Sequence, residues 1–127
     1  MFGTFSERTR MNNRAIGTDY ETRACEFLKT QGFSVLERNF RCRQGEIDII
    51  ARDGTYLVFV EVKYRKTSGS GSPLSAVDFR KQKKISRVAL YYLTKNGFTE
   101  TTPCRFDVVG ISPKETVLIK NAFEYIL

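Results

Sequence analysis

The segment GEIDIIARDGTYLVFVEVKYR, residues 45–65, limits the possible folds more than any other part of this chain. It holds two apolar-rich runs, Glu46 to Ala51 and Tyr56 to Tyr64, separated by Asp53-Gly54. β-Branched and aromatic runs around an Asp-Gly pair predict a β-hairpin. With Asp53 and Gly54 as a two-residue loop, Arg52 pairs with Thr55, Ile50 with Leu57, Asp48 with Phe59 and Glu46 with Glu61. Side chains alternate along a strand, and opposed residues share a face. One predicted face is therefore Ile47, Ile49, Ala51, Tyr56, Val58, Val60 and Val62, which is wholly apolar and must be core. The other carries Glu46, Asp48, Ile50, Leu57, Phe59, Glu61 and Lys63. A four-residue loop would preserve these sets and a three-residue loop would not, so they rest on an even loop length.

The second face gathers carboxylates and a lysine among apolar neighbours. In this register Asp48 and Glu61 are diagonal neighbours, with backbones roughly 7–8 Å apart. Clustered carboxylates repel unless a positive charge lies between them. A divalent ion relieves that repulsion, polarises a phosphate and acidifies a bound water. Lys63 points the same way as Glu61 and can stabilise charge that develops on the phosphate. The plainer alternative is a solvent-facing strand in which Lys63 simply pairs with Glu61. Leu57 and Phe59 weaken that alternative, because their face cannot be freely solvated.

The chain contains no histidine. A Ser-His-Asp triad, a Cys-His pair and a histidine-ligated zinc site are thereby excluded. Carboxylates, carbonyls and waters must hold any catalytic metal, which favours Mg²⁺ or Mn²⁺. Cys25, Cys42 and Cys104 form no CxxC pair and read as reduced, partly buried thiols.

The remaining elements follow from periodicity and punctuation. Residues 1–13 are polar and read as a flexible basic arm ahead of a single domain over 14–127. Apolar residues at Ile16, Tyr20, Ala24, Phe27 and Leu28 predict a helix from Arg14 to Gln31, stopped by Gly32. A strand is expected at 33–42, a turn at Gln44-Gly45 and a flexible loop at 67–73, TSGSGSP. Ser75 and Asp78 form an S-x-x-D capping box for a second helix reaching about Asn96, with a stripe of Ile85, Val88, Ala89, Tyr92 and Leu93 and a stop at Gly97. Strands at 104–111 and 115–120 complete the chain. The order is an α/β class with a central mixed sheet of about five strands flanked by helices.

Two features surround the hairpin chemistry. Glu21 borders the apolar stripe of the first helix, where it can join the metal-side group or pair with a lysine or arginine. The second helix carries Arg80, Lys81, Lys83, Lys84 and Arg87 with no acid among them. Such a cluster is either a solvated face or a surface that tracks phosphates. Gln82 faces inward and can reach a substrate phosphate or cap a buried polar group. The net charge of +7 attracts polyanions. No apolar run approaches the roughly 20 residues of a membrane span. The opening MFGTFSERTRMNNR lacks a signal-peptide core, so a cytoplasmic protein with no membrane partner is expected.

From about Arg14 to Ile119 the sequence resembles the YraN-like family of uncharacterised bacterial proteins. The resemblance rests on the 45–65 phrase, the helix with Glu21, Asn39-Phe40-Arg41, the lysine-rich second helix and Arg105-Phe106-Asp107. That family is similar to archaeal Holliday-junction resolvases and to restriction-endonuclease-like folds. The resemblance implies a D…E-x-K metal nuclease with Asp48 as the aspartate, Glu61 as the glutamate and Lys63 as the lysine. It also implies catalytic participation of Glu21, a metal set of Asp48, Glu61 and Val62, and a weaker match at Gln82. Ile47, not proline, precedes Asp48.

The expected function is a Mg²⁺- or Mn²⁺-dependent endonuclease hydrolysing DNA, branched or junction DNA included. Arg80, Lys81, Gln82, Lys83, Lys84 and Arg87 are its expected nucleic-acid contacts. Symmetric cutting of a four-way junction needs two sites, so a resolvase-like role implies a homodimer. The alternatives are a nucleic-acid-binding module with the nuclease fold but little catalysis, and a protein whose acidic face binds a basic partner.

Overall fold

The computed structural model describes residues 19–66 and 73–126. The expected arm at 1–13, the expected opening of the first helix at 14–18 and nearly all of the 67–73 loop lie outside these residues. Helix α1 covers 19–30. Strands β1 (Ser34–Cys42), β2 (Gly45–Asp53) and β3 (Tyr56–Tyr64) follow. A 3₁₀ turn, Pro73–Ala76, precedes helix α2 (Phe79–Lys95), and β4 (Cys104–Ile111) and β5 (Thr116–Phe123) close the chain. The expected strand at 115–120 thus runs on to Phe123, and Pro73 lies in a turn rather than a loop.

The sheet order is β1-β2-β3-β4-β5. Only the β3–β4 pair is parallel, since α2 carries the chain across between them. This is the expected α/β, restriction-endonuclease-like arrangement of a mixed five-stranded sheet with flanking helices. Both faces of the sheet are covered. Ala24, Cys25 and Leu28 of α1 pack on Ile49, Ala51, Val58 and Val60. Ile85, Val88, Ala89 and Tyr92 of α2 pack on Ile50, Leu57 and Phe59. β3 is buried on both sides for most of its length, which explains its nearly continuous apolar sequence. Tyr56, expected in the core, lies instead at the open end of β3 with Arg105 5.3 Å above its ring.

The hairpin register differs from the expected one. Asp53 pairs with Tyr56 and Ile50 with Phe59, so Gly54 and Thr55 form the loop. Gly54 adopts φ +60, the left-handed conformation that glycine enters without a Cβ penalty. The loop still has an even length, so from Ile49 to Asp53 the two faces keep their members while every partner moves by two. Ile47, expected beside Ile49, packs instead with Phe40 and Ile50 under α2, because it lies beyond the end of the β2–β3 ladder at Ile49.

Helix α2 begins one residue after Asp78, whose carboxylate accepts the Lys81 main-chain N–H at 2.9 Å. The expected box opened by Ser75 is therefore replaced by a single Asp78 cap, because Ser75 belongs to the 3₁₀ turn. Gly45, at φ +145, sits 3.4 Å from Lys84 Cγ and Val88 Cγ2 at its would-be Cβ position. The β1–β2 turn is thus pressed against α2, which brings the helix's cationic end over the sheet. The three cysteines are all free thiols. Among the described residues, no helix is long and apolar enough to cross a membrane.

Candidate active site

The β2–β3 ladder ends at Ile49–Val60. Continuing the same register sets Asp48 opposite Glu61, a closer approach than the expected diagonal. Here the main chain no longer bonds to the main chain. The Val62 N–H donates to Asp48 Oδ2 at 2.9 Å, so a side chain takes over where the strands part. Asp48 and Glu61 are brought together, and both line a cleft of about 530 Å³ with Arg41, Cys42, Gly45, Glu46, Lys81, Lys84 and Ile85.

Glu61 is only 3% exposed. Burial and the Asp48 charge push its carboxyl up to about 7, with Lys81 and Lys63 opposing the rise. Burial likewise raises Asp48, helped by the Glu21 and Glu46 charges and resisted by the Val62 N–H and Lys81. Lys63 Nζ lies 4.0 Å from Glu61 Oε2. Burial and the neighbouring Lys81 pull its ammonium below the ordinary lysine range. Lys81 Nζ is closer to Glu61, at 3.4 Å. Burial lowers Lys81, but Glu61 and Asp48 outweigh that loss and its pKa rises overall.

The sequence pattern puts Lys81 on the phosphate-facing surface, yet its ammonium turns into the cleft. The signal for this lies in spacing: Lys81 is four residues before Ile85, the first buried residue of α2, and so borders the buried face. Arg80, Lys84 and Arg87 are exposed and Lys83 is half-buried. Gln82 Nε2 donates to the Val77 carbonyl at 2.9 Å, the capping role of the two open to it.

Glu21 is held at the edge of the site by a different device. Asn39 Nδ2 donates to Glu21 Oε2 at 2.8 Å, and Arg38 lies 3.8 Å from the same oxygen. Asn39 has φ +53 in the middle of β1. Asparagine tolerates that left-handed conformation better than most residues. The twist lets Arg38 reach Thr22 on α1 while Phe40 enters the core beneath α2. Glu21 therefore pairs as the arginine-binding alternative expected, and its charge still reaches Asp48. Asn39 gave no independent chemical signal in the sequence.

The family model described as "Uncharacterised protein family UPF0102" matches residues 20–111, from α1 to the end of β4. The chain belongs to the UPF0102 family. A UPF0102 protein of Lachnoclostridium phytofermentans is 52% identical over 114 residues, covering 90% of this chain and 97% of the relative. One from Clostridium botulinum is 45% identical over 118 residues, covering 88% and 96%. One from Alcanivorax borkumensis is 46% identical over 112 residues, covering 84% and 90%. The UPF0102 match spans every residue of the cleft.

The donor set of this UPF0102 chain can be tested against a metal directly. Among the described residues, no three Asp, Glu, His or Cys side chains stand close enough to cage an ion by themselves. Mg²⁺ is commonly bound by only one or two carboxylates, completing its shell with waters and substrate phosphate. Asp48 and Glu61, two opposed oxygen donors in an open cleft, fit that habit and do not fit a zinc or calcium cage.

Proposed function

We propose that this chain is a Mg²⁺- or Mn²⁺-dependent endonuclease that hydrolyses phosphodiester bonds in DNA, junction or other branched DNA included. The observation that carries the reading is the Asp48–Glu61 pair at the parting of β2 and β3. Two carboxylates are driven together and raised in pKa despite the nearby Lys63 and Lys81. An arrangement that is unfavourable at rest is the kind found where a cation or a reaction completes it.

Asp48, Glu61 and the Val62 main-chain oxygen would hold the metal. When bound, the ion polarises the phosphate and lowers the pKa of a coordinated water. Asp48 commits one oxygen to the Val62 N–H and has the other to offer. That hydrogen bond fixes the carboxylate's rotamer, so no ordering is needed when the site fills. Lys63, its Nζ 4.0 Å from Glu61 Oε2, supplies positive charge where negative charge grows on the phosphate. Lys81 lies 3.4 Å from Glu61, holding it in place and adding a second cation beside the phosphate position. Arg80, Lys83, Lys84 and Arg87 hold the flanking phosphates. Glu21, tied by Asn39, contributes from the edge through its charge.

A second reading, nucleic-acid binding without turnover, is favoured by one feature. The Lys81–Glu61 ion pair at 3.4 Å offsets the Glu61 charge from within the chain. Cleavage of duplex, flap, fork and four-way-junction DNA and of RNA, with Mg²⁺ or Mn²⁺, decides between them. Cutting by wild type that disappears in Asp48→Ala supports the nuclease. Binding with no cutting on any substrate leaves the binding module.

A further inference from the structure

We propose that Phe79 is a base-stacking platform, so that the nucleic acid this protein takes carries an unstacked or single-stranded nucleotide beside the cleft. This rests on the nucleic-acid reading above and narrows its substrate class. Phe79 is 65% exposed, the most exposed large hydrophobic side chain among the described residues. It is the first residue of α2, where nothing in helix formation asks for a phenyl ring. Single exposed apolar residues are ordinary on protein surfaces. This one shares a groove of about 770 Å³ with Arg80, Lys81, Lys83, Lys84 and Arg87. Lys81 and Lys84 also line the carboxylate cleft, so groove and cleft are contiguous. The one acid in the groove lining, Asp78, has its carboxylate on the Lys81 main-chain N–H.

A solvated aromatic ring among cations is the composition that single-strand binders use. The cations follow the backbone, and the ring accepts the face of any base. Bases inside a continuous duplex are stacked on each other and have no face to give. The ring therefore favours a strand end, branch or flap over plain duplex, while the cations serve all of these alike. The charge complementarity of the groove selects a polyanion as its occupant rather than a second copy of this basic chain.

The test uses the full chain in EDTA, which withholds the metal that cutting would need, and measures fluorescence anisotropy on labelled oligothymidine and on a duplex of equal length. Phe79→Ala should lower the ratio of single-strand to duplex affinity about tenfold, the effect of losing one base-aromatic stack. Phe79→Tyr should restore the ratio. The salt dependence of binding should be the same in Phe79→Ala as in wild type, because the ring releases no counterions. Urea melts of both substituted proteins check that they fold. An unchanged ratio overturns the proposal, as does an equal loss on both ligands. Weakened self-association with unchanged DNA binding overturns it in favour of a contact between copies. A wild type that binds neither ligand removes the nucleic-acid reading itself.

Discussion

Replacing Glu61 with Gln should make the protein more stable at neutral and alkaline pH. Glu61 is buried opposite another carboxylate, and its pKa rises from 4.5 to about 7, which corresponds to roughly 3 kcal/mol between its charged and neutral forms. Below pH 4.5 the group is protonated in both folded and unfolded chains and adds nothing. Between 4.5 and about 7 the unfolded chain gives up this proton while the folded one keeps it, so stability falls as pH rises. Above 7 the loss is complete and constant. Gln imitates the protonated form throughout. The stability difference between Glu61→Gln and wild type should therefore grow from near zero at pH 4 to about 3 kcal/mol at pH 8.5, while the titration of carboxyls remote from the site cancels between the two. Urea denaturation in EDTA, followed by circular dichroism across that range, measures it. Mn²⁺ added at pH 8 should then stabilise wild type by about 2.7 kcal/mol at a hundred times the dissociation constant, and should stabilise Glu61→Gln far less. A wild type that gains on Glu61→Gln as pH rises would refute the reasoning, since Glu61 would then be better satisfied as an anion in the folded protein.

Three further changes separate the roles assigned above. Lys63→Ala should lower single-turnover cleavage by about a hundredfold while leaving Mn²⁺ and DNA affinity nearly unchanged, because its charge acts on the transition state; equal cutting rates would make Lys63 a structural partner of Glu61. Replacing Lys83 and Lys84 together with Ala should reduce the log–log salt slope of duplex binding by roughly 0.9 for each phosphate left without its cation, and an unaltered slope in filter binding would place the DNA on another face. Asp107→Ala should cost about 1–3 kcal/mol in urea unfolding without affecting Mn²⁺ binding, since it removes two of the Arg105 hydrogen bonds, through Nε and Nη2 at 2.9 Å each, and leaves the Asn121 N–H without its acceptor; a destabilisation below about 0.5 kcal/mol would show that Asp53 alone satisfies Arg105.

Local pattern by itself determined the element order, the two faces of the paired part of the hairpin and the gathering of Asp48, Glu61 and Lys63. These follow from periods of about 3.6 and 2, which the backbone imposes before any tertiary contact forms. Where the strands pair, face membership needs only the parity of the loop, so it survives a turn that forms one residue later than expected; Ile47, beyond the ladder, is placed by Phe40 and α2 instead. Tertiary contacts decided which residues meet. Asp53 stays in β2 rather than turning, with its carboxylate held by Arg105 at 2.8 Å and Lys120 at 3.4 Å. Those cations come from β4 and β5, more than fifty residues away. That anchoring moves the register by two and sets Asp48 against Glu61. In the same way, the excess of positive charge on α2 is plain in its composition, but composition cannot say which lysine turns inward. Docking of α2 across Gly45 fixes the helix's rotation, sending Lys81 to Glu61 and leaving Arg80 and Arg87 outside. Asn39 reaches Glu21 only because β1 twists beside α1, and neither strand nor helix carries that information alone.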